Sequence, residues 1–167
     1  FMRRITSGGG KSAAKHSVDS CGNVSEPPGE FYPVTDIDSL LMAFDSISAP
    51  GRPVSSSATK ICQGDVCSEG ETSFVLDRSL RNVHILASSD TQGLEANLYA
   101  PGSQTPITMA SGSNGPQNQQ GVSYEWLTGR TLRIDLDSSS TASWTGQWRL
   151  VFVDRQASSS GHEVHVN

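Results

Sequence analysis

From Thr59 onward, apolar residues recur at every second position, and that rhythm is the strongest constraint on how this chain can fold. Val83, Ile85 and Ala87 alternate with other residues, as do Leu94, Ala96 and Leu98, then Leu132, Ile134 and Leu136, then Trp148, Leu150 and Phe152. Successive side chains of a strand point to opposite faces, so a period of two sets one apolar face against a core. The pattern predicts strands over Thr59–Cys62, Thr72–Leu76, Asn82–Ala87, Leu94–Ala100, Val122–Leu127, Thr131–Leu136 and Gln147–Val153. Thr128 and Gly129 suit a tight hairpin between two of them. Residues 102–121 carry Gly, Ser, Asn, Gln and Pro and are predicted as one long loop. Short alternating strands without an intervening helix pack as two antiparallel layers.

The N-terminal part has a different period. Ile37, Leu40, Leu41, Phe44 and Ile47 fall three and four apart, which predicts a helix over 36–48 with one apolar face. Thr35 or Asp36 is placed to cap it, and Pro50-Gly51 stops it. Glu30–Val34 reads as a short strand before it, and residues 1–6 as the end of another helix. Ser7–Gly29 is polar and turn-rich and reads as an exposed insertion. Three parts are expected: 1–50 as the closing piece of an α/β domain, 52–157 as the sandwich, and 158–167 as a linker or edge strand leading onward.

The residues of the first part resemble the C-terminal end of a von Willebrand A-type domain. The matching runs are Phe1-Met-Arg-Arg-Ile5, Gly29-Glu-Phe-Tyr-Pro-Val34 and Thr35-Asp-Ile-Asp-Ser-Leu-Leu-Met-Ala-Phe-Asp-Ser-Ile47. The resemblance implies a Rossmann-like segment. The family's adhesion metal site, built on Asp-x-Ser-x-Ser, would lie upstream, so a divalent cation belongs to that half and no cofactor is expected in this one. The second part resembles small β-sandwich modules that follow A-type domains in secreted bacterial proteins, through Asn97-Leu-Tyr-Ala-Pro-Gly102 and Gly146-Gln-Trp-Arg-Leu-Val-Phe-Val-Asp154. The expected fold class is mainly β: an antiparallel sandwich, immunoglobulin-like in architecture, of about seven strands, preceded by the partial α/β segment.

Charge and motifs narrow the function. The net charge of −5 provides no basic face for phosphates, which argues against nucleic acid as a partner. No apolar run approaches the length of a membrane span. Cys62 and Cys67 bracket Gln-Gly-Asp-Val, a turn-prone loop that a disulfide can close, with two reduced thiols as the alternative. A disulfide there favours an extracellular or cell-surface location. Cys21 is left free or paired outside this stretch.

Gly8-Gly-Gly-Lys-Ser12 lacks the first glycine of a phosphate loop. Asp135 and Asp137 share a strand face and are candidate calcium ligands, with a solvated face as the plainer reading. Asp137-Ser-Ser-Ser-Thr141 echoes the adhesion motif but follows an alternating strand. Among the aromatics, Trp148 is in phase with the core, Trp126 and Tyr124 share a face, and Trp144 sits in a Ser/Thr loop as the best exposed ring. Trp144, Trp126 and Tyr124 are therefore the candidate ligand contacts. His84, in phase with neither Val83 nor Ile85, is expected to point outward, and His162 and His165 read as a polar edge.

No nucleophile–base pair can be assembled from local sequence. The expected function is a non-catalytic extracytoplasmic adhesion, binding or spacer module that supports an A-type protein-interaction domain. Its partners would be a protein ligand or neighbouring domains. The alternative is a carbohydrate-binding sandwich that presents Trp rings to a glycan.

Overall fold

A computed structural model describes residues 34–48, 55–112, 115–156 and 162–167. The strand expected at Glu30–Val34 (save Val34), the helix at 1–6, the insertion with Cys21 and Gly8–Ser12, and the Pro50-Gly51 stop lie outside them. Chain contacts divide the protein into Phe1–Thr35 and Asp36–Asn167. Of the first unit only Val34 and Thr35 are described, and the architecture is that of the second.

Eleven strands among the described residues form two sheets. The first has six antiparallel strands in the order β1 (Ser57–Lys60), β11 (Glu163–Val166), β4 (Asn82–Ser89), β9 (Thr131–Asp137), β8 (Val122–Trp126) and β7 (Gln117–Gln119). The second centres on β10 (Gly146–Asp154). One side of β10 carries β5 (Glu95–Tyr99) and then β6 (Ile107–Ala110). The other carries β3 (Glu71–Leu76), antiparallel, and the short β2 (Cys62–Gln63), parallel. The chain leaves the first sheet at Lys60 and joins the second at Cys62, so only Ile61 separates the two layers there.

The alternation builds the core as expected. Ile85, Ala87, Leu132, Ile134, Leu136 and Val122 from one sheet meet Trp148, Leu150, Phe152, Ala96 and Leu98 from the other, and Val83 packs at the margin. The indole of Trp148 stacks on Phe74 with ring centres 6.3 Å apart and donates to the Trp144 carbonyl at 2.9 Å.

Two departures from the expected layout have clear causes. The stretch 102–121 is not one loop, because it contains β6 and β7. Ile107 and Met109 alternate inward, but the run is only four residues long. The strand Gln117–Gln119 is held by its pairing with β8, not by apolar content. Residues 163–166 run between β1 and β4, inside the sheet rather than along its edge, with Val164 and Val166 turned into the core.

The end of β10 is apolar at consecutive positions because both of its faces are covered. Val151 and Val153 point away from the main core yet are fully buried. They lie under the Cys62–Cys67 disulfide and Tyr99. The disulfide has a Cα–Cα distance of 5.5 Å and closes the loop as the spacing suggested. The guanidinium of Arg149 sits 4.7 Å from the Tyr99 ring centre, and its Nη1 pairs with Glu71 at 3.2 Å. Arg155 ties the loop down by donating to the Gly64 carbonyl at 2.9 Å and to Glu95 at 2.8 Å, and its bonds to Glu95 hold that carboxyl below its usual range.

Gly70 has no room for a side chain under this cover. A Cβ would collide with Cys62 Sγ and stand 2.9 Å from the Lys60 carbonyl oxygen. Gly70→Ala is expected to cost about 1–3 kcal/mol, as overpacking does. A urea transition with a lower midpoint and the parent's slope would register it. An unmoved midpoint would mean that the disulfide cover yields without cost.

Candidate functional site

The helix α1 (Ile37–Ser48) is where the physical pattern departs furthest from expectation. Its start is built locally. The Asp36 carboxylate accepts from the Ser39 backbone N–H at 2.8 Å, and the Asp36 N–H donates to Ser39 Oγ at 3.1 Å, a reciprocal cap. The Ser39 hydrogen bonds hold the Asp36 carboxyl below its usual range.

An amphipathic helix normally turns its apolar stripe to the core it packs on. Here the stripe faces out. Ile37, Phe44 and Ile47 are 56%, 60% and 58% exposed, and Leu40 and Leu41 between them are only half-buried. The face laid on the sandwich carries Asp38, Met42, Asp45 and Ser46, at positions i, i+4, i+7 and i+8. This face rests on the outer side of β4, where Leu86 and Ser88 are buried, and Asp38 reaches Thr131 at the start of β9.

Asp38 anchors it and is only 4% exposed. One carboxylate oxygen accepts from the hydroxyls of Thr128 and Thr131, each at 2.5 Å, and the other pairs with Arg130 Nη2 at 2.8 Å. The Thr128 hydroxyl oxygen in turn accepts from the Arg130 and Thr131 backbone N–H groups, so the β8–β9 turn is folded around the same point. Further along, Asn167 Nδ2 donates to the Met42 carbonyl and to Ser46 Oγ at 3.4 and 3.2 Å. Asp45 Oδ1 stands 3.3 Å from His84 Nε2, and His84 Nδ1 stands 2.7 Å from Asp135 Oδ1. The docking is anchored by polar contacts, with Met42 on the same face and Ala43 also buried, while Ile37, Phe44 and Ile47 stay exposed.

Of the candidate ligand contacts, Trp144 is not an exposed ring. It is 9% exposed, its indole N–H donates to the Asp77 carbonyl at 2.8 Å, and it closes one end of the core. Trp126 is buried in the same core, and its indole N–H has no partner among the described residues. Tyr124 is half-buried and packs on that core. The three rings therefore make no surface platform. The Ser/Thr-rich setting of Trp144 suggested exposure, but a loop can still drop one large side chain into the open end of a sandwich.

Asp135 and Asp137 do lie on one outer face, and both are engaged with protein groups. Asp135 contacts His84 and, at 3.3 Å, Arg133. Asp137 accepts from the Ser139 backbone N–H and hydroxyl, which hold its carboxyl below the usual range. No group of three His, Cys, Asp or Glu side chains converges among the described residues. His84 does point outward.

Asp38, Asp45, Thr128, Arg130 and Thr131 carry little local signal of their role. A polar helix face that docks through buried hydrogen bonds has the same periodicity as one that faces water. No helix among the described residues is long and apolar enough to cross a membrane. Comparison with family models, with curated proteins and with solved structures finds no match for this chain.

Proposed function

We propose that this chain is a non-catalytic, extracytoplasmic spacer or binding module in which α1 joins the sandwich to an A-type α/β domain. The observation that carries the reading is the outward apolar stripe of α1, Ile37, Phe44 and Ile47, on a helix whose other face is fixed to the sandwich by Asp38. Fully covering an aliphatic or aromatic side chain of this size is favourable by about 1.5–3 kcal/mol, so three left open on one face are a cost unless a partner covers them. The occupant we assign is the sheet of the A-type domain whose close the run Thr35–Ile47 resembles. With one face on each body, α1 would set their orientation. The Cys62–Cys67 disulfide suits the oxidising location this role requires. The carbohydrate-binding alternative loses its main support, because its candidate rings are built into the core.

Two measurements test the reading. The residues encoded upstream of Phe1 are expected to contain Asp-x-Ser-x-Ser after a buried strand. A sequence there without alternating parallel strands and helices overturns it. The double replacement Phe44→Asp with Ile47→Asp gives the second test. The sandwich of the 167-residue chain should unfold within about 0.5 kcal/mol of the parent, as exposed substitutions do. In the polypeptide extended upstream, the α/β domain should lose at least about 2 kcal/mol, the burial of two large side chains. An unchanged α/β domain would remove α1 from the interface.

A further inference from the structure

A second, smaller apolar layer lies outside the main interior, where the Cys62–Cys67 disulfide and Tyr99 cover Val151 and Val153. It stands whether or not an α/β domain meets the stripe of α1. Both valines are fully buried, yet much of their cover is one covalent bond and a short loop in which Gln63, Gly64, Asp65 and Val66 are all exposed.

The two sulfurs are not equivalent. Cys62 is 1% exposed, whereas Cys67 is half-buried. An open groove lined by both cysteines, Lys60, Gln63, Glu69 and His162 brings solvent to the bond. Cys62 Sγ accepts from the Cys67 backbone N–H at 2.9 Å and stands 3.3 Å from the Cys67 carbonyl oxygen. A thiolate left on Cys62 meets a donor there, and the thiol that follows it meets an acceptor. Cys62 is also fixed in place. It pairs with Val153 in the sheet, and a Cβ on Gly70 would collide with its sulfur.

Two thiols cannot stand at bonding distance, so reduction drives the sulfurs apart, and Cys67 is the one with room to move. The loop is tied at Gly64, whose N–H donates to the Asp154 carbonyl and whose carbonyl accepts from Arg155. It is tied again at Glu69, whose carbonyl accepts from the Thr59 hydroxyl. The piece between the ties is 65–68.

We propose that the Cys62–Cys67 bond is a redox-sensitive lid: a dithiol reductant opens it through Cys67, segment 65–68 swings out, and Val151 and Val153 become an exposed apolar strip on β10.

In the first step a thiolate of the reductant attacks Cys67 Sγ, and the electron pair of the S–S bond leaves on Cys62 Sγ, which then takes a proton from solvent. In the second, the other thiol of the reductant attacks the reductant's own sulfur in the mixed disulfide. It closes a ring disulfide and releases Cys67 as a thiolate, which is protonated in turn. The reductant loses two electrons and the cysteine pair gains them.

The test uses the full 167-residue chain with dithiothreitol as the reductant, and alkylation with peptide mapping separates Cys62 and Cys67 from Cys21. Without denaturant the bond should be reduced at a rate that stays flat as urea is raised below the unfolding transition. A rate that climbs with the unfolded fraction overturns the lid, because attack then waits for global unfolding. In the reduced chain a soluble nitroxide should broaden the Val151 and Val153 methyl signals to near the level of Val66, which is 42% exposed, while Leu132 stays shielded. Valine methyls that remain as shielded as Leu132 overturn it as well. The double replacement Cys62→Ser with Cys67→Ser should show the open pattern without reductant and no response to dithiothreitol, and shielded valines in that variant count against the lid. None of these readouts involves the outer stripe of α1, which the Phe44 and Ile47 replacements probe separately.

Discussion

Trp148→Ala is expected to destabilise the sandwich by about 3–5 kcal/mol, the range for a large aromatic deleted from a close-packed interior. For a single domain of this size that is a large share of the whole stability. Trp148 is fully buried at the centre of the second sheet, on β10, the strand paired with β3 on one side and β5 on the other. Its loss opens a cavity, removes the stack on Phe74 and leaves the Trp144 carbonyl without its indole donor. Partial collapse of Phe74 would reduce the penalty, so the lower half of the range corresponds to a core that relaxes.

Equilibrium urea unfolding checks this. The expected result is a midpoint shift worth at least about 3 kcal/mol with little change in slope. Val75→Ala on the neighbouring strand serves as the control. That side chain is 69% exposed, and its replacement should move stability by about 0.5 kcal/mol or less. A Trp148→Ala shift no larger than that of the control would mean that the two sheets do not share one interior.

Much of this architecture can be read from the chain because burial and strand period report on each other. Ile85, Leu132, Ile134 and Leu150 lie inside wherever alternation put them, and the disulfide loop follows from two cysteines around a turn. Less was legible where pairing or context overrides side-chain type. Gln117–Gln119 forms a strand with no apolar residue, because β8 offers a partner edge. Val151 and Val153 break the alternation because a disulfide covers the outer side of the sheet. The helix is the sharpest case. Its period was plain, yet the side it presents to the sandwich was not, since Asp38, Asp45 and Ser46 look like a face meant for water. Polar docking depends on distant partners such as Thr131 and Asn167, and no local pattern in α1 encodes those.

Asp38→Ala should detach α1 while leaving the sandwich folded, and the two readouts should separate. The carboxylate is the shared acceptor for Thr128, Thr131 and Arg130. Removing it strips the Thr131 hydroxyl of a charged partner in a buried position and takes the carboxylate away from the Arg130 guanidinium. Breaking a buried ion pair from one side costs about 3–5 kcal/mol. Arg130 keeps partial contact with water, which lowers the cost in this case to about 2–3 kcal/mol. The other polar attachments, Asn167 to the Met42 carbonyl and Ser46 hydroxyl and Asp45 to His84, are exposed or half-buried and contribute little each, and Ala43 is the one small apolar residue the helix buries. The deficit therefore exceeds what holds the helix down, and the helix leaves before the full cost can reach the sheets. Exchange protection of the α1 amides should collapse by at least about tenfold, since about 1.4 kcal/mol already corresponds to that factor. The urea midpoint of the β-strands should move far less. Asp38→Asn, which keeps an acceptor for the two threonines but loses the charge opposite Arg130, should fall between Ala and the parent. Full α1 protection in the alanine variant would show that the helix is held by something other than this buried carboxylate.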